Sequence, residues 1–126
     1  MSTVDARFIR HVETIANDLT ALLISKQRDY GPGNINNAYN GPMNGLLVRM
    51  GDKYERIKNL MMNDGWNPQH EPLRDSFADL ANYCIIALMV LDQRWPTNEG
   101  TFPCDTETSN ATPTPAEAST QSSSIV

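Results

Sequence analysis

The sequence has little positive charge, and this excludes one class of partner. Its 126 residues contain 10 Lys and Arg against 15 Asp and Glu, which gives a net charge of −5. Binding to a nucleic-acid polymer requires a face with several excess basic residues that neutralise phosphates. Residues 1–95 are close to neutral and residues 96–126 carry only acids. We therefore do not expect DNA or RNA as the main partner.

Long apolar runs and cysteines are also scarce. The longest apolar run, from Cys84 to Leu91, is far shorter than the roughly 20 residues that cross a bilayer. Charged residues at positions 5, 7 and 10 interrupt the region where a signal peptide needs an apolar stretch. Two cysteines cannot form a disulfide framework, and Cys84 lies in an apolar helical run where it is predicted to be a small core residue. These features predict a protein of the reducing cytoplasm, with no membrane partner.

Several catalytic signatures are missing. Neither His11 nor His70 lies beside a plausible serine or cysteine nucleophile. The glycine-rich segment GPGN lacks the Lys-Ser/Thr pair of a phosphate-binding Walker loop, and no zinc-ligand spacing is present. Nucleophilic triads, Walker-type nucleotide sites and zinc sites are therefore not expected.

The length suits one domain, which we place at residues 1–96. No segment alternates apolar and polar residues in the manner of a strand, so the fold class is predicted to be all-α. From Thr101 onward 11 of 26 residues are Ser or Thr, and too little apolar surface remains to offset the entropy of ordering. We interpret residues 97–126 as a disordered tail rich in Ser, Thr and Pro.

Three helices are predicted within the domain. The first begins after Ser2 or Thr3, either of which could cap it, and runs to about Arg28 before Gly31 ends it. The second runs from about residue 42 to residue 62, and the third from about residue 72 to residue 94, with an Asn/Gly/Pro-rich loop after the first. Apolar residues at helical spacing predict the inward faces: Phe8, Val12, Ile15, Leu19 and Leu22 on the first helix, Leu47, Met50, Tyr54, Ile57 and Met61 on the second, and Leu73, Phe77, Leu80, Cys84, Leu88 and Leu91 on the third.

The third helix is apolar on two sides. Its other side carries Ile86, Met89 and Val90 in continuation of Asp75, Asp79 and Asn82. Three helices of one chain can hardly cover both sides of the last one. The pattern therefore predicts a homo-oligomer, a dimer or a tetramer, in which this helix lies between its own core and that of a partner.

Carboxylates on the second and third helices are candidate metal ligands. Asp75 and Asp79 repel each other at i, i+4, and a bound cation would relieve that repulsion. With Asp52 they would form an oxygen site for Mg²⁺ or Mn²⁺, and Glu55 is a further candidate. The alternative is a solvated acidic first turn that the helix dipole favours.

Basic and aromatic residues near these acids are candidate nucleotide ligands. Arg49, Lys53 and Arg56 on the second helix could hold phosphate oxygens, although Arg49, Asp52 and Arg56 also fit a solvent-exposed ladder of ion pairs. Lys26 continues the apolar stripe of the first helix, so its stem points inward; it could clamp a phosphate or complement the helix C-terminus. Tyr30 offers a ring and Asn34 an amide to a base or sugar.

Three sequence segments, KQRDYG, RMGDKYERIKNL and EPLRDSFADLANY, resemble in order and spacing the phage-enriched nucleotide modification associated domain family of type one. The resemblance covers about residues 20–92. That family looks related to the all-α nucleoside triphosphate pyrophosphohydrolases typified by MazG and dimeric dUTPase. The resemblance implies a helical, oligomeric fold in which facing acidic helices bind Mg²⁺ and a nucleotide triphosphate, and a host-cytoplasm location if the protein is phage-encoded.

The first functional hypothesis is a Mg²⁺-dependent hydrolase that converts a nucleoside triphosphate to a monophosphate and pyrophosphate. The metal would lower the pKa of an attacking water, and Glu55 or Asp29 would act as the catalytic base. The other candidate residues are Asp52, Asp75 and Asp79 for the metal, Lys26, Arg49, Lys53 and Arg56 for the phosphates, and Tyr30, Asn34, Asn82 and Tyr83 for the base and sugar.

Two further hypotheses remain open. The related pyrophosphohydrolases usually carry Glu-x-x-Glu and Glu-x-x-Asp, whereas here the first pattern is Asp52-Lys-Tyr-Glu55 and Ser76 lies three residues before Asp79. The second hypothesis is therefore a protein that binds or sequesters a normal, modified or cyclic nucleotide without turnover. The third is a helical oligomer whose acidic stripes only set pairing register; it predicts that Asp75→Asn or Asp79→Asn raises stability equally with and without metal.

Overall fold

A computed structural model describes residues 4–65, 67 and 69–105, without the side chain of residue 64. It contains four helices: α1 (Ala6–Tyr30), α2 (Gly33–Asn36), α3 (Pro42–Asp64) and α4 (Glu71–Leu91). No strand occurs in this part of the chain, so the prediction of an all-α fold is confirmed. No helix among the described residues is long and apolar enough to span a membrane.

The ends of α1 follow from its capping groups. The Asp5 carboxylate accepts a hydrogen bond of 2.7 Å from the backbone N–H of Arg7 and caps the helix. Ser2 and Thr3, the predicted caps, lie outside the described residues. At the other end Gly31 has a φ of 67° and donates its N–H to the Gln27 carbonyl, as predicted for a helix stop.

The predicted loop between the first two long helices contains the short helix α2. Ile35 on this helix is only 2% exposed and packs with Leu46, Ile86 and Trp95 in the core. The Asn36 amide donates to the Pro96 carbonyl at 2.9 Å. Asn36 also donates to the Asn98 side-chain oxygen, and Asn98 donates to the side-chain oxygen of Asn37. The Thr97 N–H donates to the Thr101 carbonyl and closes a turn. Residues 97–101, which composition assigned to the tail, therefore form a turn that is hydrogen-bonded to the α2 segment. Residues 106–126 lie outside the described part.

The helix α3 turns a different face inward than its apolar spacing predicts. Leu46 and Ile57 are buried, whereas Leu47 is 68% exposed and Tyr54 is 57% exposed. The inward face follows the spacing Leu46, Met50, Lys53, Ile57 and Leu60, all buried or partly buried. This rotation carries the ammonium group of Lys53 to the inner side of the helix.

The helix α4 is also rotated relative to the prediction, and it ends at Leu91 instead of Arg94. Its buried residues are Leu73, Ser76, Asn82 and Ile86. The side predicted to face the core of a partner copy therefore packs on α3 of the same chain. Most of the stripe predicted to be core is exposed, including Phe77, Cys84, Leu88 and Leu91. Because both sides are apolar, spacing alone did not distinguish them.

Close packing of α2 on α3 depends on Gly45. A Cβ atom at this position would lie 2.5 Å from the Cβ of Ala38 and 3.4 Å from the Ile35 carbonyl oxygen. Gly45→Ala should therefore push the α2 segment away from α3 and lower the free energy of unfolding by about 1–3 kcal/mol. Urea denaturation measures this change.

Gly51→Ala is the matched control, because it makes the same chemical change in the same helix. Gly51 is exposed, and an added Cβ would meet nothing within 4 Å. Its helical conformation suits alanine, so this variant should gain about 0.5–1 kcal/mol. Similar effects of the two substitutions would contradict the packing role of Gly45.

Candidate functional site

A cavity lies where α1, α3 and α4 converge, and α2 closes one side of it. It has a volume of about 230 Å³. Its walls combine basic, aromatic, amide and apolar side chains. The lining residues are Leu23, Lys26, Gln27, Tyr30, Asn34, Ile35, Arg49, Lys53, Asp79, Asn82, Tyr83, Ile86 and Trp95. Eight of the candidate residues from the sequence are therefore brought together in one place: Lys26, Tyr30, Asn34, Arg49, Lys53, Asp79, Asn82 and Tyr83.

Two lysines share one carboxylate at this cavity. The Lys26 ammonium lies 2.5 Å from one oxygen of Asp79, and the Lys53 ammonium lies 3.1 Å from the other. Partial burial alone would lower the pKa of Lys26, but the hydrogen bond and charge of Asp79 outweigh it and raise that pKa. Burial alone would raise the pKa of Asp79, but the two lysines outweigh it and lower that pKa. Lys26 and Asp79 are therefore both charged at neutral pH.

A third cation and two aromatic rings complete the wall. The Arg49 guanidinium donates a hydrogen bond of 3.3 Å to the backbone carbonyl of Asn34. This bond leaves most of its five N–H donors available to a ligand. Tyr30 is 68% exposed at the end of α1, and Tyr83 is partly buried against the core. The cavity therefore offers three cations, one carboxylate and ring surfaces, which is a suitable environment for a phosphorylated aromatic molecule.

The inner wall contains a residue that the sequence reasoning missed. Trp95 is 6% exposed and packs with Ile35 and Ile86. It follows the end of α4, just before the segment interpreted as a tail. An isolated tryptophan beside a segment with few large apolar residues was the signal that could have indicated a packed residue. Its indole nitrogen and both side-chain polar atoms of Asn82 are buried and have no hydrogen-bond partner among the described residues.

The remaining candidate residues lie elsewhere. Asp75 lines a separate groove between α1 and α4. The α1 residues that line this groove include Asp18 and Leu19 but not Lys26. Arg56 does not line the cavity; its Nε donates to the buried Ser76 hydroxyl at 3.2 Å and links α3 to α4. Asp29, Asp52 and Glu55 are exposed, and Glu55 faces Lys58 at 3.6 Å.

This arrangement does not assemble the predicted metal site within one chain. Among the described residues no three His, Cys, Asp or Glu side chains are grouped so that they could hold a metal ion. Asp79 is the one carboxylate among the residues that line the cavity, and lysine ammonium groups contact both of its oxygens. Mg²⁺ needs oxygen ligands that are free to coordinate it. The grouping of Asp52, Asp75 and Asp79 is therefore not found, and the described residues of one chain do not fit a resident Mg²⁺.

The lysine pair predicts the effect of Asp79→Asn on stability. The substitution leaves two ammonium groups facing each other, and Lys26 is 44% exposed, so we expect a loss of about 1–2 kcal/mol after allowance for solvent screening. This is opposite in sign to the gain that relief of carboxylate repulsion would give.

The pH dependence of this loss follows from the two pKa directions. Asp79 has a lowered pKa, so its contribution is present above its unfolded value of about 3.9 and is lost as the pH falls through the lowered value. Lys26 has a raised pKa, so its contribution is present below about 10.4 and is lost as the pH rises through the raised value. Urea titrations should therefore show a constant difference between wild type and Asp79→Asn near neutrality, and a smaller one below about pH 4. A difference independent of pH would contradict the ion pair.

One of three comparisons with known proteins found a match. The search of curated proteins and the search of solved structures found no match. Residues 26–91, just over half of the chain, match the family described as nucleotide modification associated domain 1. The match begins at Lys26 and includes every charged residue that lines the cavity. The chain therefore belongs to the nucleotide modification associated domain 1 family.

Proposed function

We propose that the protein binds a nucleotide in the cavity between α1, α3 and α4. One observation carries the proposal: Lys26, Arg49 and Lys53 converge on a cavity whose other walls are aromatic, amide and apolar groups. Phosphate oxygens would accept hydrogen bonds from the three cations, while the remaining walls would contact the base and sugar.

The local charge supports an anionic ligand. The cavity carries three basic groups against one carboxylate, although the whole chain has a net charge of −5. Each ammonium has three N–H donors, so Lys26 and Lys53 can contact Asp79 and still donate to a phosphate. Asp79 thereby holds two flexible side chains in place before the ligand arrives, which reduces the entropy lost on binding.

Binding without turnover is the form of this function that the geometry supports best. Hydrolysis to a monophosphate and pyrophosphate, the first hypothesis from the sequence, would use Mg²⁺ on Asp52, Asp75 and Asp79. Those carboxylates are not grouped within the described residues of one chain. The proposed ligand is therefore a nucleotide that is released from the site without being hydrolysed.

The test is a calorimetric titration of the purified chain with each ribonucleoside and deoxyribonucleoside triphosphate, in EDTA and again in Mg²⁺. Anion-exchange chromatography then identifies the nucleotide recovered. We expect saturable binding in EDTA, weakened by added salt, with the nucleotide intact. Absence of binding for every nucleotide would overturn the proposal, and conversion to monophosphate and pyrophosphate in Mg²⁺ would replace it with the hydrolase.

Asp79→Asn distinguishes the two roles of this carboxylate. If Asp79 only positions the lysines, the variant loses part of that positioning and gains local positive charge, and triphosphate binding should change by the same factor in EDTA and in Mg²⁺. If Asp79 is a Mg²⁺ ligand, the variant should lose the part of binding or hydrolysis that depends on Mg²⁺. The titration is run at a temperature where circular dichroism shows the variant to be folded.

A further inference from the structure

The inner wall of the cavity contains three polar atoms without partners. Asn82 is 4% exposed and Trp95 is 6% exposed. Three of their atoms are buried: the amide nitrogen and oxygen of Asn82 and the indole nitrogen of Trp95. None of these atoms has a hydrogen-bond partner within the described part of the chain. Each such group is costly to bury unless something pairs with it. Their position in a cavity indicates that the partner is a bound molecule.

These atoms and the charged groups differ in burial. Around Asn82 and Trp95 the wall is apolar, with Ile35 and Ile86 both buried. By contrast, the side chains of Lys26 and Lys53 are 44% and 28% exposed. The cavity therefore has an inner part suited to an uncharged, flat group with a polar edge, and an outer part suited to phosphates.

We propose that the nucleotide enters with its base first and that Asn82 and Trp95 hydrogen-bond the edge of that base, while the phosphates stay at the outer lysines. This inference rests on the proposed nucleotide site. It identifies the ligand class as nucleotides held through the base, as opposed to inorganic polyphosphates or sugar phosphates.

The hydrogen-bonding groups and the volume support this orientation. The Asn82 N–H and the Trp95 N–H both need an acceptor, and the Asn82 oxygen needs a donor. Base edges carry acceptors and donors side by side, whereas phosphates at neutral pH offer mainly acceptors. The cavity volume of about 230 Å³ is below the roughly 300–1,000 Å³ of sites that enclose a whole drug-sized ligand. It therefore encloses part of a nucleotide and leaves the rest at the opening.

The test compares nucleoside triphosphates of the four bases with inorganic triphosphate by calorimetry. Asn82→Leu replaces the amide with an apolar group of similar size, and Trp95→Phe removes the indole N–H and reduces the ring. We expect each variant to bind its best nucleotide about tenfold to a hundredfold more weakly. Binding of inorganic triphosphate should change less than about twofold, because the cations are untouched.

Two readouts separate base recognition from a structural role. Asn82→Asp, which at neutral pH offers acceptors only, should change the order of preference among the four bases. Asn82→Leu should raise the melting temperature without ligand, because it removes an unpaired buried amide. A structural role for the amide would instead lower it.

Each outcome bears on one proposal. If nucleotides bind no more tightly than inorganic triphosphate, or if Asn82→Leu and Trp95→Phe bind nucleotides as the wild type does, base recognition is overturned and the phosphate site stands. If neither nucleotides nor inorganic triphosphate bind the wild type, the phosphate site fails as well. If water molecules alone pair with Asn82 and Trp95, nucleotides should bind no more tightly than inorganic triphosphate.

Discussion

Replacing Lys53 with methionine is expected to weaken binding of a nucleoside triphosphate by about tenfold to a hundredfold, because a hydrogen bond to a charged group contributes about 1.5–3 kcal/mol. Lys53 lies on the inner face of α3, its side chain is only 28% exposed, and Asp79 holds its ammonium at 3.1 Å. A cation that is partly buried and already positioned loses little entropy when it contacts a phosphate. Calorimetric titration in EDTA measures the loss.

Lys58→Met is the matched control for this prediction. It removes one positive charge from the same helix, but Lys58 is 53% exposed, faces Glu55 and does not line the cavity. The two variants have the same net charge, so attraction of the ligand over long distances changes equally. Lys58→Met should bind nearly as the wild type does. Equal losses in the two variants would mean that net charge governs binding and would contradict a phosphate contact at Lys53.

The same two substitutions should differ in salt dependence. A lysine that contacts a phosphate makes binding weaken as salt is added, and its removal should flatten that dependence. Lys53→Met should therefore show a shallower decline of affinity between low and high salt, whereas Lys58→Met should follow the wild-type curve. Parallel salt curves for all three proteins would contradict the contact.

Local signals in the sequence were sufficient to predict the three long helices. Gly31 and Pro42 lie where α1 ends and α3 begins, because a positive φ and a fixed φ are properties of these residue types themselves. The short helix α2 was missed. Its order depends on Ile35 entering the core and on hydrogen bonds to residues about 60 positions later, and no local pattern reports such contacts.

The rotation of α3 and α4 was not predictable from spacing. Both sides of α4 are apolar, so the side carrying Asn82 and Ile86 and the side carrying Phe77 and Leu88 fit a core equally well. The choice depends on which neighbours each side meets. Asp79 meets Lys26 and Lys53 on the inner side, and this ion pair contributes to the orientation that a count of apolar residues cannot show.

The candidate site was only partly predictable from the sequence. The segments that resemble the family contain Lys26, Arg49, Lys53 and Asp79, and these four residues lie together in the structure. Asp75 was grouped with Asp79 because four residues bring two side chains to the same face of a helix. One helical turn is about 5.4 Å, however, and that distance places Asp75 at a separate groove.

The helix α1 exposes an apolar stripe. None of its 25 residues is buried, and Phe8, Val12 and Ile15 are each about half exposed. A helix with this little burial is marginal in water, because most helical stability in proteins comes from packing of an apolar face. The exposed stripe of α4 that includes Phe77, Leu88 and Leu91 adds further apolar surface. We propose a second copy of the chain as the cover, in agreement with the dimer or tetramer expected from the sequence.

This proposal predicts that Val12→Asp combined with Ile15→Asp will convert an oligomer into a 14.0-kDa monomer. Two carboxylates placed in an apolar interface lose their hydration without gaining partners, and each costs several kcal/mol. Sedimentation velocity at micromolar concentration measures the mass. The control is Asn17→Asp, which adds a charge to the opposite side of α1, and which should leave the oligomer unchanged.

Two results would contradict a self-associating α1. One is a wild-type protein that sediments as a monomer at every concentration, because α1 would then be stable without any cover. The other is a double variant that keeps the wild-type mass, which would place the interface elsewhere, with the exposed face of α4 as the next candidate. Because Lys26 lies near the end of α1 and lines the cavity, loss of the oligomer is also expected to weaken nucleotide binding. If α1 is stable without a partner, loss of the oligomer should leave nucleotide binding unchanged.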